Sequence, residues 1–267
     1  MGNSLTAIQV KSIARKFDTI WGMSGHSKWA TIHRQKGIND AKKGAAFTKL
    51  ANMITIAVKE GGGIGDPNTN FKLRLVVDKA REVNMPKDNI QRAIDRATGA
   101  GGVDLSEAVF EGFLPGGAGV LVQTLSDNKV RSLQYVRDAI ERSGGTLANS
   151  GAVSHGFVHV GELRIKAKDA SKSRDDQQLE IIDAGIEDME DDGEGGFVVW
   201  CDKSSLYEAK TKLEGMGYVV SSAELSMKPN MYIEVSDSET KQKIETILEK
   251  LDDLDDVSHV WTNYQPV

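Results

Sequence analysis

Residues Pro86–Leu125 read PKDNIQRAIDRATGAGGVDLSEAVFEGFLPGGAGVLVQTL, and the hydrophobic period changes within them. In the first part Ile90, Ala93, Ile94 and Ala97 recur at helical spacing behind Pro86, which suits a first helical turn because its missing N–H has no partner there. Gly99 closes that pattern. Beyond Gly101-Gly102, Val109–Leu114 and Gly119–Leu125 read as strands around the turn Pro115-Gly116-Gly117, a hairpin signature. A helical region therefore gives way to an α+β region near residue 100.

Upstream of Pro86 two further stripes appear. Leu73, Val76, Val77, Ala80 and Val83 form one, after the turn Asp66-Pro67-Asn68; Phe47, Leu50, Ala51, Ile54 and Val58 form the other, over Phe47–Glu60, stopped by Gly61-Gly62-Gly63. Three stripes with short connections predict a small helical bundle. Residues 26–46 are polar and basic with little apolar periodicity, which predicts an arm or a short helix lying on that bundle. Downstream, Asp127 or Asn128 can cap a helix bearing Val130, Leu133, Val136 and Ile140. A strand at about 156–167 follows, then a helix with Leu179, Ile182 and Ala184, strands at about 186–190 and 196–201, a helix at 203–216 and a strand at 218–226. The chain closes with a strand at Met231–Val235, a helix containing Ile244, Ile247, Leu248 and Leu251, and a strand at Val257–Thr262. The expected fold is α+β and multidomain: a helical bundle over 23–100, then two α+β domains of ferredoxin-like layering. One spans 101–155 plus 228–267, and the other, acidic, is inserted in it at 156–227.

Charge follows the same boundary. Residues 1–100 hold 17 Lys+Arg against 8 Asp+Glu, and residues 101–267 hold 16 against 31, so a formal +9 and −15 make up the net −6. A basic front on an acidic body is the footprint of a polyanion-binding module carried on a self-repelling scaffold. Lys28, Arg34, Lys36, Lys42, Lys43 and Lys49 lie within 22 residues with Asp40 the only acid, and His26, Trp29 and His33 are interleaved. Cations at this density suit a phosphate backbone, because each neutralised phosphate releases counterions. Trp29 can stack on a base or anchor the segment into the bundle, and His33 can share a phosphate. Arg74, Lys87 and Arg92 extend the patch.

Other chemistry is poorly supported. No apolar run approaches the ~20 residues of a membrane span, so no membrane partner is expected. The single cysteine, Cys201, excludes an intrachain disulfide and reads as a small buried strand residue. Gly61–Gly65 follows a helix and precedes Asp66, unlike a phosphate loop. His155 and His159 sit in a strand-like stretch without a completing Glu. Glu187–Gly193 resembles half a calcium loop, but position 12 is Val199 in place of a bidentate Glu; it reads as a solvated acidic turn, as does Asp252–Asp256. No Gly-x-Ser-x-Gly elbow or flanking carboxylate pair stands out. The expectation is a binding protein with no catalytic residues, metal or cofactor. Residues 1–22 form a basic amphipathic extension (Val10, Ile13, Ala14, Phe17, Trp21), readable as a targeting presequence, an added packing helix or an artefact of the chosen start. Its first six residues also fit the N-myristoylation pattern, which is short and common. A cytoplasmic location is expected, or a mitochondrial or other organellar one if that extension is a targeting signal.

Residues 23–267 resemble the YebC/PmpR family. The resemblance is carried by MSGHSKWA (Met23–Ala30), DAKKG (Asp40–Gly44), FTKL (Phe47–Leu50), LRL (Leu73–Leu75) and NMPKDNIQRAI (Asn84–Ile94). It continues through EGFLPGG (Glu111–Gly117), SDNKVRS (Ser126–Ser132), EDMEDDGEG (Glu187–Gly195) and DLDDV (Asp253–Val257). It implies a helical domain followed by two α+β domains, one inserted in the other. It also implies a regulator of gene expression: family members are described as probable DNA-binding transcriptional regulators and as translation factors at the ribosome, including on stalled proline-rich synthesis. Mitochondrial relatives are described as translational activators of cytochrome oxidase subunit I. Where the family usually reads KHRK, this chain has His33-Arg34-Gln35-Lys36, replacing two firm cations by His33 and Gln35 and making any phosphate contact more pH-sensitive. Residues 1–22 have no counterpart in the family pattern.

Three readings follow. The leading one is a translation factor touching ribosomal RNA or the ribosome through its basic head, since no helix shows base-reading Arg/Asn/Gln spacing. The second is a DNA-binding transcriptional regulator. The third is a protein–protein adaptor whose basic segment pairs in cis with acidic loops. Self-association is left open.

Overall fold

A computed structural model describes residues 40–99, 105–168, 172–193 and 195–267, the side chains of 40–43 excepted. Three helices form the first layer: α1 (Asp40–Glu60), α2 (Phe71–Glu82) and α3 (Lys87–Thr98). Their apolar stripes meet in one core built on Leu50, Ile54, Val58, Leu73, Val77 and Ile94. The α1–α2 connection is tightly specified. Asn70 caps α2 by accepting from Leu73 N–H at 3.1 Å, while its amide donates to the carbonyls of Ala57 and Ile64 at 2.9 and 3.0 Å. Gly61 lets this buried side chain in, for a Cβ there would lie 2.1 Å from Asn70 Nδ2. Between α2 and α3 the chain reverses through Asn84, the one non-glycine residue with positive φ (58°) among those described, with Pro86 capping α3. Among the described residues helix α1 already includes Asp40–Gly44, ahead of the apolar stripe that the sequence shows from Phe47, because the DAKKG segment is polar and carries no periodicity.

The next layer is an antiparallel sheet of order β3-β1-β2-β9, made by β1 (Ser106–Phe113), β2 (Gly119–Ser126), β3 (Thr146–Ala148) and β9 (Val257–Thr262). Helices α4 (Lys129–Glu141) and α7 (Ser238–Asp252) cover one face, burying Phe110, Val122, Val136, Ile140, Ile244 and Leu248. Strands β8 (Ile233–Val235) and β10 (Tyr264–Pro266) pair in parallel beside it. Between β3 and β8 the chain builds a second antiparallel sheet, order β5-β6-β4-β7, from β4 (Phe157–Lys166), β5 (Asp188–Asp191), β6 (Phe197–Asp202) and β7 (Val219–Pro229). Helices α5 (Arg174–Asp183) and α6 (Leu206–Gly215) pack on it over Leu163, Ile165, Phe197, Val199 and Cys201. One α+β unit is thus inserted into another, behind a helical bundle.

Two stripes differ from their expected faces. Val130 lies in the first turn of α4 and is 77% exposed, because the inward stripe of that helix runs through Ser132, Val136, Ala139 and Ile140 and passes Val130 by. In α5 the inward residues are Gln177 and Ile181, and Leu179 is exposed. Gln177 is drawn in by hydrogen bonds to Lys168 N–H and the Lys172 carbonyl, which tie the helix to the incoming chain. Strands β3 and β10, three residues each, carry too little alternation to be read from sequence.

Candidate nucleic-acid interface

Helix α3 is sharply two-sided. Ile90, Ala93 and Ile94 are buried, whereas Lys87, Gln91, Arg92 and Arg96 stand on the exposed side with Asp88 and Asp95. Arg92 lies along its own helix, donating to the Asp88 carbonyl at 3.2 Å and to Asn89 Oδ1, and Gln91 donates to Asp95 Oδ1 at 2.8 Å. Arg96 was missed in the sequence; its signal was the i+4 spacing from Arg92.

The other expected contacts divide. His26, Lys28, Trp29, His33, Arg34 and Lys36 lie outside the described residues, and Lys42 and Lys43 belong to the backbone of α1, their side chains likewise outside. Lys49 does not stand free. Its ammonium donates to the Asp252 carbonyl and lies 4.0 Å from the Asp252 carboxylate at the C-terminal end of α7. The expectation that this cation lacks an acidic neighbour is corrected by tertiary structure, which brings one from 203 residues away. Arg74 is also engaged. Its guanidinium donates to the carbonyls of Pro67 and Asn68 at 2.8 and 2.5 Å and to the Tyr207 hydroxyl at 3.3 Å.

Several acids of the sheet units serve the fold. Glu111 is buried on β1 and accepts from the N–H groups of Gly151, Val153 and Ser154 at 2.7, 2.6 and 2.9 Å. Burial alone raises its pKa, but those three donors outweigh it and hold the carboxyl below its ordinary value. Asp256 accepts from Ser132 Oγ at 2.8 Å, Ser126 Oγ at 3.1 Å and Arg131 at 3.3 Å, while Arg131 also pairs with Asp127 at 2.8 Å. The segments SDNKVRS and DLDDV therefore meet in one knot that joins the start of α4 to the start of β9. The reading of Asp252–Asp256 as a solvated turn is corrected: Asp252 holds Lys49 and Asp256 closes the knot. Glu187–Gly193 is corrected likewise, for Asp188 pairs with Lys228, Asp191 with Arg174, and Asp192 accepts from Gly196 N–H at 2.7 Å, which shapes the β5–β6 hairpin.

Glu224 on β7 joins all three units. Lys79 of α2 donates to it at 2.6 Å, and His259 Nε2 of β9 lies 3.8 Å away. Burial pushes its pKa up, but the Lys79 charge and the neighbouring His259 prevail and hold it well below the ordinary carboxylate range. Cys201 is buried, and desolvation pushes its thiol up to about 11, which leaves it a poor nucleophile. Among the described residues no three His, Cys, Asp or Glu gather where a metal ion could sit, and no helix is long and apolar enough to cross a membrane.

Comparison with known proteins covers almost the whole chain. Residues 27–100 match the family described as "TACO1/YebC protein N-terminal domain", and residues 105–264 match "TACO1/YebC second and third domain". The chain is 43% identical over 91% of its length to a "Probable transcriptional regulatory protein" of Caldanaerobacter subterraneus subsp. tengcongensis, covering 98% of it. It is 41% identical to "Probable transcriptional regulatory protein YrbC" of Bacillus subtilis, over 91% of this chain and 100% of that one. The crystal structure of a conserved hypothetical protein from Aquifex aeolicus aligns with a TM-score of 0.77 at 34% identity, covering 85% of this chain and 92% of that chain.

Proposed function

Because the chain belongs to the TACO1/YebC family, we propose that it is a non-enzymatic regulator of gene expression that binds nucleic acid through its helical head. The observation that carries this is the unequal availability of charge. Residues 1–100 hold a formal +9, and Lys87, Arg92 and Arg96 face outward from α3, whereas acids of the sheet units, the buried Glu111 and the partly buried Asp256 among them, are tied up in hydrogen bonds. Lys28, Arg34, Lys36, Lys42 and Lys43 supply further phosphate contacts, with His26, Trp29 and His33 among them. The partner we favour is ribosomal RNA on the ribosome, for Gln91 and Arg92, the polar side chains best placed to read bases, are bonded within their own helix. Duplex DNA is the second reading, favoured by the names of the bacterial relatives.

Fluorescence anisotropy with single-stranded RNA and duplex DNA, together with ribosome pelleting, tests both. Lys42→Glu with Lys43→Glu should weaken binding at least tenfold. It should also flatten the salt dependence by about 1.4 in log–log slope on a single strand, ~0.7 for each phosphate left without its cation. The nucleic acid whose binding falls identifies the partner. Unchanged binding to all three would overturn the reading and leave the adaptor.

A further inference from the structure

The joint between α2 and the inserted unit carries a feature that neither fold nor core requires. Phe71 and Tyr207 meet edge to face, with ring centroids 5.4 Å apart, and Arg74 lies 5.5 Å from the Tyr207 centroid. Tyr207 is nevertheless 48% exposed. Exposed cations neighbour this pair along the chain in both units: Lys72 follows Phe71 on α2, and Lys203 lies in the turn before α6, one helical turn ahead of Tyr207. Lys72 meets only the exposed Glu60, at 2.8 Å, and Lys203 makes no ion pair among the described residues. His159, at the exposed end of β4, registers their combined field. Its pKa is pushed down by burial and then by the charges of Lys203 and Lys72, with Glu107 opposing them. Lys72 of the basic head and Lys203 of the acidic body thus act on one point, and each is a close chain neighbour of one ring of the Phe71–Tyr207 pair.

A packing role for Tyr207 explains the contacts with Phe71 and Arg74 but not the ring area left open beside exposed lysines of both units. Cations flanking an open aromatic ring are the elements of single-strand recognition, in which a base stacks and its phosphates are neutralised. We propose that this joint is a second contact for single-stranded nucleic acid, with a base stacked on Tyr207 and adjoining phosphates on Lys72 and Lys203. The proposal rests on the nucleic-acid reading of the head and extends it to the inserted unit, so that a strand bound by the basic head continues across α2. Arg74, held by the Pro67 and Asn68 carbonyls, keeps the ring oriented.

The test uses the full chain and two labelled probes, oligouridylate and an RNA duplex, at several salt concentrations. Tyr207→Leu and Lys72→Glu with Lys203→Glu should each weaken oligouridylate binding about tenfold, the cost of one stacked base, while duplex binding stays within about twofold. Tyr207→Trp should bind as well as the parent. If Tyr207→Leu melts early, the exposed Lys72/Lys203 pair decides the matter alone. Parental oligouridylate binding by that pair, with binding abolished in the Lys42/Lys43 variant, would overturn this contact and leave the head's role intact. Failure of the parent chain to bind either probe would overturn both.

Discussion

The helical bundle and the two sheet units use charge in opposite ways. On α3, Lys87, Arg92 and Arg96 sit on the exposed side of a regular helix, and Arg92 bonds only within that helix, to the Asp88 carbonyl and Asn89. In the sheet units the informative acids are structural. Glu111 gathers three backbone N–H groups, Asp256 closes a knot of two serines and an arginine, and Glu224 links the three units. Helices satisfy their own backbone, whereas the irregular connections of a sheet leave donors that side chains must meet. A charge count alone therefore overstates how much of the acidic body faces a partner.

The contrast breaks first, if it breaks, at Glu111. Glu111→Ala should cost about 2 kcal/mol in urea unfolding, because three backbone donors lose their acceptor and one of them, Val153 N–H, is buried. The folded-state pKa of Glu111 lies below its ordinary value, so its stabilisation is present above the unfolded pKa of about 4.3 and is lost as pH falls through the folded value. The stability of Glu111→Gln should accordingly fall less steeply than that of the parent in this acid range, and parallel curves would refute the assignment. Asp256→Ala should cost about 2 kcal/mol by freeing Ser126, Ser132 and Arg131, and hydrogen exchange should show the start of α4 loosening while α3 keeps its protection.

On the bundle the expected effects are smaller and of another kind. Lys87→Glu with Arg92→Glu should leave the melting temperature unchanged and reduce nucleic-acid affinity several-fold with a shallower salt slope. A fall in stability without a change in binding would place these cations with the structural charges. Smallest of all, Lys49→Met keeps the apolar stem and removes the pair with Asp252. It should shift stability by under about 1 kcal/mol and leave nucleic-acid affinity where it was. A drop in affinity as large as that from Lys87 and Arg92 would return Lys49 to the interface.

Much of the fold was legible because its elements advertise themselves locally. The stripes around Leu50, Leu73 and Ile90, the stop at Gly61–Gly63 and the hairpin at Pro115–Gly117 each depend on residues within a turn or two of one another. The site was less legible. Lys49 looked free because its partner follows 203 residues later. Asp252–Asp256 looked solvated because Ser126, Arg131 and Ser132 reach it only when β2 and β9 pair. Tyr207, Lys72 and Lys203 share no motif; Phe71 and Tyr207 meet only where α2 packs beside α6, and the two lysines come with them as chain neighbours.

The sequence by itself determined the class of fold, the boundary near residue 100, the family and the placing of positive charge in the head, since periodicity, turn chemistry and composition are properties of neighbouring residues. Tertiary structure alone decided which charges remain available. Whether a lysine faces solvent or an aspartate from another unit is set by the docking of helices and strands distant in sequence, and no local pattern encodes that distance.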